Sequence, residues 1–371
     1  MIINIYVENV QPSGISKEDK VPCLWATLLY FRILMYFRIN NCNIVSDFKK
    51  ADYVLLNTCS VSDHYEQYIL NRLNIIKLYN KWVKKIIIFW CLATKENKLS
   101  KIVDYFIPIW DNNKLDEIFW LNIFFKDIPY FNSSLNFNKN TLFKKDTYYL
   151  GIWRWCIHNC SYCWIKKWIW FIKSRPLESI YKEVRLAIKH GFKKICLVTD
   201  DLWSYGEDIG INFVTLIEWI LQLSPELIIS ISNIEPSQLI KYYDLFKKNI
   251  SRINSIVLPV QSFNDILLKS MNRKYTVNDY INLISDIKKH NKYIDIQNHI
   301  IYWYPWETLI IFLQNIYISI KLPIQTAFLE FQDRKWTIAN TLPNKVLWSE
   351  LLKMRQILQK FKKKYPKKIV G

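Results

Sequence analysis

Residues 154–163 read RWCIHNCSYC, and the fold of the whole chain turns on this stretch. Its cysteines, Cys156, Cys160 and Cys163, stand at i, i+4 and i+7, with the aromatic Tyr162 just before the last. Thiolates grouped this closely can wrap one corner of an iron–sulfur cube, and a cube with three protein ligands keeps its fourth iron open to bind something else. The competing reading is a zinc site or a set of buried thiols. Zinc sites usually show paired C-x-x-C knuckles, and no second knuckle exists in this chain.

Working outward, TYYLGIW (147–153) is an apolar run that reads as a strand delivering the cysteine loop. SRPLESIYKEVRLAIKHG (174–191) has helical periodicity, with Ser174 as cap, Pro176 in the first turn and Gly191 past the end. KKICLVTDD, ELIISISNIEP, SIVLPVQS, IDIQNHIIY and AFLEF then read as strands alternating with helices. Six such β/α units imply a parallel, partial TIM-like (β/α)6 barrel, with its chemistry at the C-terminal ends of the strands. Upstream, INIYVE, YVLLN, KKIIIFWCLAT and YFIPIW alternate in the same way. They predict a small parallel α/β domain over residues 1–120. Cys59 and Cys91 follow two of its strands, where open α/β sheets place ligands. Residues 121–145, rich in Asn, Phe and Lys without period, read as a linker, and 146–365 as the barrel domain. The fold class is α/β throughout.

Composition narrows the setting. The chain has 371 residues, 51% of them hydrophobic and 22% charged, as expected for globular domains rather than a disordered chain. The most apolar stretch, LWATLLYFRILMYFRI, carries Arg32 and Arg38 and reads as a buried helix, not an anchor or signal peptide. Cysteines with no signal segment suit the reducing cytoplasm, where thiols stay available for metal. The net charge of +19 fits a polyanionic partner or simple solubility, and the run KFKKKYPKK at the end is either a solvated basic tail or an RNA contact. Only 6 glycines stand against 16 tryptophans, an inversion of ordinary usage.

The spacing C-x-x-x-C-x-Y-C resembles the signature of the radical S-adenosylmethionine (SAM) enzymes. Further stretches resemble one family within them, the radical SAM methylthiotransferases, over nearly the whole chain. These are ADYVLLNTCSV (51–61), IIIFWCLA (86–93), SRP (174–176), SYGED (204–208), IEP (234–236), LPVQS (258–262) and MNRKYT (271–276). IIYWYPWET (300–308) resembles the family's I-I-V-G-F-P-G-E-T, and RKWTIA (334–339) its R-P-G-T-x-A. The resemblance implies two [4Fe–4S] clusters. One is held by Cys156, Cys160 and Cys163 and binds SAM; an auxiliary one takes Cys59 and Cys91 among its ligands. It implies reductive cleavage of SAM to methionine and a 5′-deoxyadenosyl radical, hydrogen abstraction from an unactivated carbon, and delivery of methylated sulfur from the auxiliary cluster. Tyr162 is expected near the SAM adenine. Glu235 and Gln261 are candidates for hydrogen bonds to SAM or substrate, or are satisfied polar groups of the barrel interior. Arg175 is a phosphate or carboxylate partner or an exposed helix-start residue.

The implied partners are the tRNA anticodon stem-loop and a flavodoxin- or ferredoxin-like electron donor, with no membrane. The implied product is a methylthio group at C2 of a modified adenosine beside the anticodon. The N6-dimethylallyladenosine branch fits best and the threonylcarbamoyladenosine branch second. A degenerate paralogue that binds a cluster or RNA without turnover is the alternative.

Four departures bear on this. The family's first auxiliary cysteine, expected soon after the first strand, is missing from VENVQPSG; Cys23 lies downstream and could replace it, or be a small buried hydrophobe. The family's aspartate before I-I-V-G is His299 here, expected to be structural. The RNA-gripping β-barrel with which the family ends is expected to be absent, because the sequence stops at KKIVG. Finally, Trp90, Trp110, Trp155, Trp170, Trp303, Trp306 and Trp336 stand where the family has glycine. Glycine serves left-handed turns and close backbone approach, and seven such replacements at ~1–3 kcal/mol each would exhaust a normal folding stability of ~5–15 kcal/mol. The expectation is a codon read as Trp that the source reads as Gly.

Overall fold

The computed structural model describes residues 2–9, 24–58, 63–79, 83, 85–92, 99–108, 111–130, 146–154, 156–163 and 173–370. The chain separates into two compact units, Met1–Lys145 and Asp146–Gly371.

The first unit holds a parallel sheet of β1 (Asn4–Asn9), β2 (Asn43–Ile44), β3 (Tyr53–Thr58), β4 (Lys85–Trp90) and β5 (Tyr105–Pro108), in the order β2-β1-β3-β4-β5. The central strands are apolar runs because both faces are covered: Val54 to Leu56 and Ile87 to Phe89 are fully buried. The helix Leu24–Ile39 answers the question raised by its arginine. Arg32 is buried, donates from Nη2 to the Phe125 carbonyl at 3.0 Å, and lies 4.5 Å from the Phe125 ring centroid and 3.9 Å from that of Tyr130. A guanidinium so paired sits comfortably in an apolar helix. The same contacts fold residues 121–130, expected to be linker, into this unit, with Phe125 and Ile128 buried. No helix among the described residues is long and apolar enough to cross a membrane.

The second unit is a seven-stranded, wholly parallel sheet. It comprises β6 (Thr147–Gly151), β9 (Lys194–Val198), β10 (Ile228–Ile231), β11 (Ile253–Val257), β12 (Asp295–Tyr302), β13 (Gln325–Glu330) and β14 (Ile369–Val370), in the spatial order β14-β13-β12-β11-β10-β9-β6. A two-stranded antiparallel pair, β7 (Trp153–Arg154) and β8 (Lys173–Ser174), flanks the cysteine loop. The six strands expected from the sequence are present. β14 was not expected: it pairs with β13 and carries the sheet past residue 365. Between strands run helices such as Leu177–Lys189, which buries Ile180, Val184 and Ala187 at helical spacing. Ser174 does not cap it. Pro176 occupies the N-cap position, and the Ser174 hydroxyl accepts from Gly206 N at 2.9 Å instead. Gly206, at φ 93°, must be glycine, because a Cβ there would meet the Ile211 carbonyl oxygen at 2.3 Å.

Trp90, Trp303 and Trp306 adopt φ of 85°, 66° and 68°, the left-handed region in which a side chain is strained and glycine is not. Trp336 is not in this region and is 58% exposed. Trp110, Trp155 and Trp170 lie outside the described residues.

Candidate active site

Because every strand of the second sheet is parallel, the segments after β6, β9, β10, β11, β12 and β13 all emerge at one end. The cysteine loop follows β6 and is fastened there through the residues between the cysteines. Ile157 N donates to Ser204 Oγ (3.2 Å), and the Asn159 carbonyl accepts from Asn272 Nδ2 (2.7 Å). Ser161 is held three times: its N donates to the Met271 carbonyl (3.2 Å), its carbonyl accepts from Ala339 N (2.8 Å), and its hydroxyl meets that of Tyr304 (2.8 Å). Residues from the segments after β9, β11, β12 and β13 thus hold the loop. Cys156, Cys160 and Cys163 are all partly exposed. Burial pushes the Cys156 thiol well up, and the Asp201 carboxylate, then the other two cysteines, push it further.

The arrangement fits an iron–sulfur cluster, whose core is cationic. The loop's anchoring falls on the spacer residues, and a buried thiol crowded by negative neighbours gains most by deprotonating onto a metal. Acceptors without protein donors lie near by. Gln261 Oε1 and Asn233 Oδ1 are buried with no hydrogen-bond partner. Gln261, at φ 75°, bridges β12 by exchanging backbone hydrogen bonds with His299 and Ile301. An unpaired buried acceptor at the ligand end of such a sheet suits a bound group that donates.

Tyr162 is enclosed. Its hydroxyl accepts from Arg273 Nη2, and Arg273 Nη1 donates to Glu235 Oε1 at 2.9 Å with both of that pair's side chains almost wholly buried. The other Glu235 oxygen accepts from Ser237 N at 2.8 Å and so caps the helix Pro236–Lys241. Both oxygens of Glu235 are therefore engaged by the chain itself. Arg175, read as a phosphate or carboxylate partner or an exposed helix-start residue, is buried and paired with the chain's own Glu183 carboxylate at 2.6 Å. His299 is held neutral by burial, its pKa lowered to about 4, which agrees with a structural role.

Sequence reading missed the side chains that organise the site. Asp201, 1% exposed, accepts from Glu235 N (2.9 Å) and Ser204 Oγ (3.0 Å), and its Oδ2 lies 3.1 Å from His158 Nε2. Glu307 closes the turn after β12, accepting from Trp303 N and from Asn315 Nδ2 (3.0 Å). Burial pushes its pKa up to about 8. Arg273, Ser204, Tyr304 and Glu307 sit inside motifs already quoted, and Asp201 ends the strand KKICLVTDD, but nothing in the sequence marked them as organising the site.

In the first unit, Cys91 follows β4 and is partly exposed. There the Thr58 hydroxyl donates to the Phe89 carbonyl (2.8 Å) and accepts from Leu92 N (3.3 Å), joining the ends of β3 and β4. Cys59 and Cys23 lie outside the described residues.

This parallel sheet with its cysteine loop is an α/β fold of the radical SAM barrel kind. The model of the radical SAM superfamily matches residues 150–303, and that of the uncharacterised protein family UPF0004 matches 32–107. The fold is similar to the radical SAM methyltransferase of Kitasatospora setae, solved with cobalamin and a [4Fe–4S] cluster bound (TM-score 0.55, 12% identity, 89% of this chain and 72% of that one). The chain is 24% identical to a probable threonylcarbamoyladenosine tRNA methylthiotransferase of Pyrococcus horikoshii over 91% of this chain and 79% of the relative. It is 26% identical to a tRNA-2-methylthio-N(6)-dimethylallyladenosine synthase of Malacoplasma penetrans (88% and 71%) and 31% to that of Karelsulcia muelleri (65% and 59%). It thus spans between 59% and 79% of the length of these relatives. Matched by both family models and by relatives of both branches, the chain is similar to the radical SAM methylthiotransferases, enzymes that use SAM and [4Fe–4S] clusters.

Proposed function

We propose that the chain adds a methylthio group to C2 of a modified adenosine beside the tRNA anticodon, with N6-dimethylallyladenosine as the favoured substrate. The observation that supports this is the cysteine loop fastened through Ile157, Asn159 and Ser161, which carries Cys156, Cys160 and Cys163 on one short segment after β6. Those cysteines would hold the SAM-binding cluster, whose chemistry when loaded is one-electron cleavage of SAM to a carbon radical. Cys59 and Cys91 would serve the auxiliary cluster in the first unit.

The chain's own task is to bind, orient and keep water away. Tyr162, clamped by Arg273, forms a fixed aromatic wall between two of the ligating cysteines. Gln261 and Asn233 offer buried acceptors to SAM or substrate. The net charge of +19 suits the tRNA phosphate backbone, and a flavodoxin- or ferredoxin-like protein would supply the electron. Relatives of both tRNA branches align over similar shares of the chain, and NTCSV, SYG, LPVQS and MNRKYT resemble the tRNA branches as a group; the prenylated base is favoured by overall fit alone.

One observation favours a second reading: no cysteine stands directly after β1. A chain with only the SAM-binding cluster would cleave SAM without inserting sulfur. Anaerobic reconstitution separates the two, with about eight irons per chain for two cubes and about four for one. Incubation with SAM, a low-potential reductant and tRNA bearing either modified base, followed by nucleoside mass spectrometry, decides the substrate. A colourless protein that releases no 5′-deoxyadenosine would sink the reading.

A further inference from the structure

Asp201 is placed where it can do more than brace a loop. Its Oδ2 lies 4.0 Å from Cys156 Sγ and 3.1 Å from His158 Nε2, so a carboxylate stands directly behind one ligating sulfur, with an imidazole on its flank. The other buried carboxylate of this neighbourhood, Glu235, is neutralised by Arg273. Among the described residues Asp201 has no such cation. Its hydrogen-bond donors are the neutral Ser204 hydroxyl, the Glu235 amide and the Cys156 thiol, with the His158 ring 3.1 Å from Oδ2.

Reduction adds one negative charge to a cluster. A fixed anion beside a ligand sulfur opposes that charge, and burial of the anion keeps solvent from screening it. Second-shell partners tune a metal in this way generally. We propose that Asp201 holds the reduction potential of the Cys156/Cys160/Cys163 cluster low, and that the polar His158 ring, 3.1 Å from its Oδ2, tempers that carboxylate's field at the cluster. The proposal rests on those cysteines holding a cluster, as proposed above. The alternative use of the same geometry is a divalent-ion site, since the ligand atoms of Cys156, His158 and Asp201 lie within 4.8 Å of one another.

The test is a redox titration followed by electron paramagnetic resonance on anaerobically reconstituted protein. Cys59→Ala and Cys91→Ala form the background, so that one cluster gives the signal, and iron content is measured first. Asp201→Asn keeps an acceptor for the Glu235 amide while removing the charge. It should favour reduction at least tenfold, an upward shift of about 59 mV for one electron. His158→Phe should move the potential the opposite way. If Asp201→Asn loads poorly, His158→Phe still decides through the sign of its shift. Full loading with an unchanged potential in both variants would leave Asp201 a mere brace and overturn the proposal. So would zinc bound stoichiometrically in the parent and lost from Asp201→Asn. A parent with no cluster at all removes the cluster reading itself, and the proposal with it; that result is distinct from loaded protein with unmoved potentials.

Discussion

Ser161 and Tyr304, 143 positions apart, share a hydroxyl–hydroxyl hydrogen bond of 2.8 Å in the buried interior. Ser161 lies between two cysteines of the loop after β6, and Tyr304 lies in the turn after β12. Tyr304 also contacts the hydroxyl and carbonyl of Ser270, both at 3.3 Å, and packs edge-on against Phe331. One phenol therefore ties the cysteine loop to two other strand-end segments.

Tyr304→Phe keeps the ring and its packing but removes that tie. A net loss of ~0.5–1.5 kcal/mol is expected for a hydrogen bond of this kind. The global midpoint should fall modestly, while iron is lost to a chelator several-fold faster than from the parent. Equal rates of iron loss would show that the loop is held without it.

The Arg273–Glu235 pair is buried on both sides. Removing one member strands the other's charge, at ~3–5 kcal/mol, whereas replacing both with apolar residues of similar volume is far milder. Arg273→Met and Glu235→Leu alone should each unfold at markedly lower denaturant than the double variant. Additive single effects in that cycle would count against the pairing.

Glu307 supplies a pH dependence. Its pKa is raised by burial to about 8, against an ordinary value of 4.5. Between these values the folded state binds more protons than the unfolded one, so this group's contribution to stability falls as pH rises through that window and levels off above about 8. The slope reaches at most ~1.4 kcal/mol per pH unit. Glu307→Gln should flatten the profile between pH 5 and 8, as read from urea midpoints across that range.

Trp303 and Trp306 flank Tyr304 and Pro305 with both φ values near 67° (66° and 68°). A left-handed residue other than glycine costs roughly 1–2 kcal/mol, and the turn they form is the one Glu307 closes. In protein isolated from its native source, peptide mass spectrometry of residues 303–306 should find glycine at both positions. Tryptophan at either would refute the reassigned codon.

Much of this was written locally. Parallel strands buried on both faces are apolar runs, and helices between them have their own period, so the six barrel strands could be located without coordinates. The cysteine spacing marked the candidate cluster loop because its three cysteines are neighbours in the chain. What could not be read was whatever depended on residues brought together from different strand ends. β14 has two residues, too few to show a period, and exists because β13 offers it an edge. Arg175 gave no sign of being buried, since its partners Glu183 and the Gly151 carbonyl are set by packing. Glu235 could be read as a ligand contact or as a satisfied interior polar group, and the sequence did not show that Arg273, 38 residues on, takes one of its oxygens. The sequence by itself determined the class of fold and the thiolate loop, because both are short-range patterns. Only the tertiary structure decided that Asp201, His158 and Tyr304 stand around that loop, because parallel strands collect their C-terminal ends at one place whatever their separation along the chain.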